Sequence, residues 1–406
     1  MKRLDYKWTM LLMLSAAYFL AQGTRQIYST VLPQIKADFA VSDTQLGLVS
    51  SIFTLAFGIV IPFAGIAADF FRRKWMIVAG ALVFSCGIFL SGFAAGIGLL
   101  VFTYGILNGA GQSLMPPSNS SLIGQLHVET RGTAFSIYQT AIYLGIVSLG
   151  YVASLFTGLG AGGWRWAFWT FGAIGIGGAL VLALALRDTP QPKVANSDKA
   201  SVGEALGAFL KKPSALLLMA ALGCYFFASY GFKTWSPMFF RRLFADMTNG
   251  QVAFHSTCWF YLGAFLGVML GGRISDKLKT VRPAVRFEIE LVGMMLFVPF
   301  ILFMALASSL PAMCLAIGLF GFSTGVYDSN LYASLMDVIS PRYRAAAVGI
   351  FGCGGCVIGA FGPAVMGVLN ESFSMRISFG SLAAFAVLGV LVLLAARLLT
   401  FARDRV

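Results

Sequence analysis

Gly65-Ile-Ala-Ala-Asp69-Phe-Phe-Arg-Arg-Lys74 separates two long apolar runs, and Gly272-Arg-Ile-Ser-Asp276-Lys-Leu-Lys279 occupies the same setting 207 residues later. A second pair repeats at a similar distance: Arg131-Gly-Thr-Ala134 opens one apolar run and Arg344-Ala-Ala-Ala347 opens another, 213 residues on. Self-similarity at such a distance in a chain of 406 residues indicates two halves of one design. Working outward from the four elements, twelve runs of spanning length appear, at about 8–33, 45–68, 75–94, 97–121, 132–158, 164–186, 214–240, 251–274, 287–308, 311–336, 345–369 and 376–400. The expected fold class is an all-α polytopic membrane protein, with twelve transmembrane helices in two pseudo-symmetric six-helix bundles. Residues 1–186 form the first bundle, 187–213 a linker and 214–406 the second bundle. The end of the linker, Ser201-Val-Gly-Glu-Ala-Leu-Gly-Ala-Phe-Leu-Lys-Lys212, reads as an amphipathic helix at the membrane interface.

Composition agrees with this reading. Hydrophobic residues make up 58% of the chain and charged residues 11%, with a mean hydropathy of +0.82. A soluble domain carries about a quarter charged residues, so a soluble globular protein is excluded. The net charge of +13 would suit a nucleic-acid binder if it lay on a polar surface, but its distribution follows the membrane instead. Of the 29 Lys and Arg residues, 22 fall in the termini and loops of one side, and five (Lys36, Arg165, Arg241, Arg242, Arg376) fall on the other. The positive-inside rule therefore places both termini and the linker in the cytoplasm. Lys2-Arg3 and the apolar run from Trp8 look like a signal peptide, but the run exceeds the about 7 to 15 residues of such a core and is expected to be a retained span.

Two cations remain, Arg25 and Lys233, both inside spans and 208 residues apart at repeat-related positions. An intramembrane charge costs about 2.5–3.5 kcal/mol on insertion scales and needs a function or a partner. Tyr18, Gln22, Arg25 and Ser29 share one helical stripe, and Lys233 shares one with Ser229 and Ser236. One reading has each cation snorkel or pair with a fixed carboxylate; the other makes the two an anion clamp, with a guanidinium fork and an ammonium point charge. Asp328 is the one acid placed well inside a span, as a proton carrier or releasable counter-ion on one reading and a static ion-pair partner on the other. Asp337, Glu288 and Glu290 are expected at the cytoplasmic boundary. In span four, Asn108, Gln112, Pro116 and Asn119 lie on one face, and Gln139 and Tyr143 share a face of span five. The glycines Gly349, Gly352, Gly355 and Gly359 of span eleven read as a close-packing ridge.

Enzymatic chemistry and metal binding find no residues to support them. His127 and His255 are isolated, the six cysteines lie in apolar stretches, and Cys353 and Cys356 form a CxxC without a second ligand pair. No cofactor and no metal are expected.

The repeated Gly-x-x-x-Asp loops followed by basic residues resemble the signature loop of the major facilitator superfamily, whose architecture is that of a rocking carrier. The resemblance covers essentially the whole chain, although Phe70 and Arg72 replace residues usual in the first copy. Asn108-Gly-Ala-Gly-Gln112-Ser-Leu-Met-Pro-Pro117 is similar to the fourth-span motif of the organophosphate:phosphate antiporters and the anion:cation symporters. Tyr230-Gly-Phe-Lys-Thr-Trp235-Ser-Pro237 is similar to a seventh-span motif of the antiporters. Arg25, eight residues before Pro33, matches the arginine with which both families hold a substrate anion. The symporters' coupling acids are replaced by Thr24 and Gln112, and the antiporters' second arginine by Ser229, one turn before Lys233.

The resemblance implies a secondary transporter of small organic anions (sugar acid, carboxylate or sugar phosphate) that works by alternating access, coupled to protons or a counter-anion, as a monomer in a bacterial-type inner membrane. The expected substrate-binding residues are Arg25, Gln22, Tyr28, Gln112, Gln139 and Tyr143 in the first half and Lys233, Trp235 and Asn330 in the second. Asp328 is the coupling candidate. Asp69 with Arg73 and Arg131, and Asp276 with Arg344, are expected to latch the cytoplasmic ends. An exporter of amphipathic lipids or drugs is the alternative, because Ser42-Asp-Thr-Gln-Leu-Gly47 and Ser136-Ile-Tyr138 resemble elements of the lipid-carrying Spinster-like branch.

Overall fold

The computed structural model describes residues 6–187 and 202–405, with the side chains of Asp69, Phe70, Val202 and Ala345 excepted. All regular structure among the described residues is helical. Among the described residues, eleven helices or helix pairs are long and apolar enough to cross a membrane. The first helix, Tyr6–Phe39, is outside that set although its 34 residues extend about 51 Å. Gln22, Arg25, Gln26, Gln34 and Lys36 lower its apolarity, so the most polar of the twelve long helices is the one that carries the intramembrane arginine.

The first helix also outruns its expected end at residue 33, because Pro33 is accommodated within it and the polar turn beyond is neutralised. Lys36 pairs with the buried Asp43. Asp38 accepts from Arg165 at 2.8 Å and from Trp164 Nε1 at 3.1 Å. The next helix, Asp43–Phe70, starts sharply because Ser42 and Gln45 cap each other's backbone amides.

The chain divides into two compact units, one of Met1–Pro192 with Ala245–Phe254 and the other of Lys193–Phe244 with His255–Val406. The linker residues 188–201 lie outside the described residues; the expected interfacial helix follows as Val202–Leu210. Its Ala205 and Phe209 are buried, its Leu206 and Leu210 are exposed, and its Glu204 pairs with Arg342 at 3.5 Å.

Two spans depart from regular α-helix. Span four, Ile97–Leu126, contains a wider π-helical stretch over Val101–Asn108 and bends again at Leu114, ahead of Pro116 and Pro117. Span ten, Leu310–Val338, is broken: one helix ends at Asp328, residues 329–332 form turns, and a second helix runs over Ala333–Val338. Such irregularities persist in spans mostly where side chains are used, and both lie at polar residues singled out from the sequence.

Candidate functional site

In the first unit, the first helix and the fifth span, Arg131–Phe156, approach backbone to backbone at Gly23 and Gly145. A Cβ on Gly145 would lie 2.3 Å from the Phe19 carbonyl oxygen, and one on Gly23 would lie 2.6 Å from that of Gly145. This fixes the turn that carries Arg25. The Arg25 side chain reaches span four, where its Nε donates to Gln112 Oε1 at 2.7 Å.

Arginine has only donors, so the Gln112 amide must turn its oxygen toward Arg25. Its Nε2 then donates to the Ala21 carbonyl at 2.8 Å, to Asn108 Oδ1 at 2.9 Å and to Thr24 Oγ1 at 3.3 Å. Two donors are left over, both buried and without a partner: Arg25 Nη2 and Asn108 Nδ2. The guanidinium carbon lies 4.9 Å from the Phe53 ring centroid and 4.7 Å from that of Phe57. Tyr104 donates to the Arg25 carbonyl at 3.3 Å. Among the described residues no carboxylate pairs with Arg25, so the fixed ion pair of the alternative reading is not formed. Chemically the arrangement is an oriented cation with aromatic walls and unspent donors, suited to an anion's oxygen atoms.

The other first-unit candidates fall into two groups. Gln22 is buried and hydrogen-bonds to Tyr18, whose ring stacks on Tyr138 at 5.0 Å. Tyr138 in turn accepts from Asn119 at 2.8 Å. Gln139 is exposed on span five and Tyr143 half-buried. Tyr28, by contrast, is fully buried, stacks on Tyr104 at 4.6 Å and donates to the Leu46 carbonyl at 2.8 Å.

In the second unit, Lys233 of span seven, Pro213–Leu243, has its ammonium 5.4 Å from the Phe260 ring centroid and 5.9 Å from that of Tyr230. Asp328 accepts from the Tyr225 hydroxyl and lies within electrostatic range of Lys233. Tyr225 stacks on Tyr327 at 4.5 Å, which places the acid at the end of an aromatic pair. Asn330 sits in the break of span ten with its Nδ2 on Ser329 Oγ at 2.9 Å. Trp235 is fully buried and donates to the Pro363 carbonyl at 2.9 Å.

The expected latches are placed differently. Asp276 is exposed and pairs with Lys279 at 3.7 Å. Arg344 donates instead to the carbonyls of Met336 at 2.8 Å and Ile339 at 3.2 Å, at the end of span ten. Asp276 and Arg344 are thus engaged with other groups in this structure, the guanidinium with the free carbonyls of a helix C-terminus. The side chain of Asp69 lies outside the described residues. Arg73 Nη1 is buried without a partner, and the Arg131 guanidinium lies against Gly124.

Of the three acids expected at the cytoplasmic boundary, two pair with cations and one is buried. Glu288 pairs with Arg397 at 3.1 Å and Asp337 with Arg286 at 2.5 Å. Glu290, expected at the boundary with them, is 1% exposed and inside the unit. Sequence reading also missed Phe53, Phe57, Tyr104 and Tyr225; among 37 Phe and 13 Tyr nothing marks those that face a charge.

The Major Facilitator Superfamily profile matches residues 14–289 and 245–405. A protein of Cupriavidus necator named probable sulfoacetate transporter SauU is 25% identical over 374 residues, covering 87% of this chain and 85% of that protein. Human protein spinster homolog 1 is 28% identical over 297 residues, 68% of this chain and 56% of its own. The crystal structure of a bacterial homologue of the human lysosomal transporter Spinster superimposes with a TM-score of 0.86, covering 99% of both chains at 23% identity. The chain belongs to the Major Facilitator Superfamily and has its twelve-helix fold. It is a multi-pass membrane transporter, not an enzyme.

Proposed function

We propose that this major facilitator carrier moves small organic anions (a sugar acid, another carboxylate or a sugar phosphate) by alternating access, with Arg25 as the group that holds the anion. The observation that carries this reading is the guanidinium itself, oriented by Gln112, walled by Phe53 and Phe57, and left with a buried Nη2 that no protein group satisfies. A buried charged donor without a partner costs free energy unless a ligand supplies one. The relative named as a sulfoacetate transporter supports an organic anion as cargo. Lys233 is the corresponding intramembrane cation of the second unit, beside Phe260 and Tyr230. The placement of 22 of 29 cations on one side supports a plasma or inner membrane location with both termini in the cytoplasm.

The direct test is uptake of labelled organic anions by proteoliposomes that contain the purified chain, with saturable uptake as the expected result. A second reading, carriage of an amphipathic lipid, draws support from the relatives named spinster homologues; uptake of a labelled lysolipid with no response to any organic anion would favour it.

Two variants probe the site's wiring. Gln112→Leu removes the acceptor that orients Arg25 Nε, and a hydrogen bond to a charged group is worth about 1.5–3 kcal/mol. KM for the anion is expected to rise roughly tenfold or more, with kcat less affected; an unchanged KM would show that Arg25 needs no help from span four. Asp328→Asn keeps an acceptor for Tyr225 but can no longer exchange a proton. Accumulation driven by a pH gradient should disappear while anion counterflow continues, and gradient-driven accumulation at the wild-type level would remove Asp328 from coupling.

A further inference from the structure

Glu290 lies five residues into span nine, Val285–Leu306, yet its side chain is buried within the second unit. Its Oε1 accepts from Ser334 Oγ at 2.6 Å. The charged groups on neighbouring elements give it no cation. From span ten, Asp328 and Asp337 both act on it as acids, and Asp337 is already paired with Arg286 of Glu290's own helix. From span twelve, Arg397 is taken by Glu288, and from span eight, Asp276 is paired with Lys279. Among the described residues no Lys, Arg or His forms an ion pair with Glu290. A carboxylate buried among acids without a cation is expensive, and a neutral carboxyl that accepts from one hydroxyl and keeps its own proton on Oε2 costs far less.

The break in span ten lies between Glu290 and Asp328. Asp328 closes the first helix of that span, residues 329–332 interrupt it, and Ser334, the partner of Glu290, belongs to the second helix. Tyr327 lies within electrostatic range of both acids. Two protonatable carboxyls thus flank one joint, with Glu290 nearer the end of the unit where spans seven, nine and eleven begin.

We propose that Glu290 is a second proton-carrying residue of the transport cycle, working in series with Asp328. Glu290 Oε2–H releases its proton toward the near end of span nine, and the carboxylate so formed takes the proton that Asp328 gives up. Asp328, left as a carboxylate within electrostatic range of Lys233, then regains a proton from the far side of the membrane, so each proton that leaves Glu290 is balanced by one taken up at Asp328. This rests on the coupled reading of Asp328, but its test separates the two.

The test uses the full chain in proteoliposomes. Glu290→Gln keeps the size of the side chain and the acceptor for Ser334 but holds no exchangeable proton. It is expected to retain anion counterflow and to lose accumulation driven by a pH gradient, and Glu290→Asp is expected to restore part of that accumulation. A purely structural hydrogen bond predicts the reverse order, with Gln near wild type and the shortened Asp worse. Infrared difference spectra provide an arm independent of substrate: at neutral pH the wild type is expected to show the carbonyl band of a protonated, buried carboxyl that Asp328→Asn keeps and Glu290→Gln loses. Wild-type accumulation by Glu290→Gln, or a wild type without that band, overturns the proposal. A wild type that moves anions without regard to pH overturns it together with the coupling role of Asp328. If none of the organic anions moves, the substrate reading fails, and the infrared band alone decides whether Glu290 carries a proton.

Discussion

Arg25→Ala lowers uptake of organic anions by about a hundredfold or more, and Arg25→Lys by about tenfold. The estimate follows from the guanidinium's free edge. Hydrogen bonds to a charged group are worth about 1.5–3 kcal/mol each, so two from one fork amount to at least about 3 kcal/mol, and every 1.4 kcal/mol is tenfold. Lysine keeps the charge but not the fork, and its single nitrogen cannot both donate to Gln112 and present two parallel donors to the anion. The protein should survive the change. Alanine forfeits stacking on Phe53 and Phe57, worth about 0.5–2 kcal/mol, but also removes a buried donor that has no partner. Loss of transport with an unchanged melting temperature is therefore the expected signature. Uptake by Arg25→Ala equal to wild type would remove the anion clamp from the mechanism.

The fold was legible in the sequence because each span is a composition signal and the two halves repeat it. The ends of spans were less so. The first helix reads as stopping near Pro33, yet Lys36 and Asp38 extend it by finding Asp43 and Arg165 in neighbouring elements, contacts that no local pattern shows. The site was legible as a set of residues but not as a network. Arg25 and Gln112 both stand out as polar residues in apolar runs, but the bond between them joins positions 87 apart.

Glu290 shows what a one-dimensional reading loses. Glu288 and Glu290 read alike as boundary acids, but residues two apart on a helix point about 200° from each other. Glu288 therefore meets Arg397 while Glu290 turns into the unit. Tyr28 and Trp235 stand out for a related reason. A polar aromatic inside a span signals a donor, and in both cases a backbone carbonyl accepts from it.

Gly325→Ala and Gly267→Ala are expected to destabilise the second unit by roughly 3 kcal/mol or more, a large effect for one methyl group. Lipid gives helices little hydrophobic reason to associate, so close packing through small residues holds spans together. The glycine ridge expected in span eleven is in part real: Gly355 and Gly359 face Leu222 and Phe226, whereas Gly352 faces open space. The tighter seam lies between Cys258–Leu278 of span eight and span ten. A Cβ on Gly325 would lie 2.0 Å from the Ala264 carbonyl oxygen, and one on Gly267 would lie 2.1 Å from that of Phe322. Gly263 and Gly321 face Gly318 and Phe260 in the same way, at 2.0 and 2.1 Å. These neighbours are backbone, so no rotamer change can relieve the clash, and the two helices must separate by about 1 Å along the seam, which forfeits a quarter to a half of each contact's attraction. Gly272→Ala in the same helix is the control. Nothing lies within 4 Å of its Cβ, and replacing a helical glycine there should be neutral or stabilise by up to about 1 kcal/mol. Thermal unfolding in detergent, followed by size-exclusion fluorescence, measures all three. The seam also bears on transport, because Gly325 is three residues before Asp328, and a span ten displaced there would move the acid away from Tyr225 on span seven. If Gly325→Ala melts with the wild type, the helices part without cost, and packing along this seam cannot be what holds the end of the first span-ten helix in place.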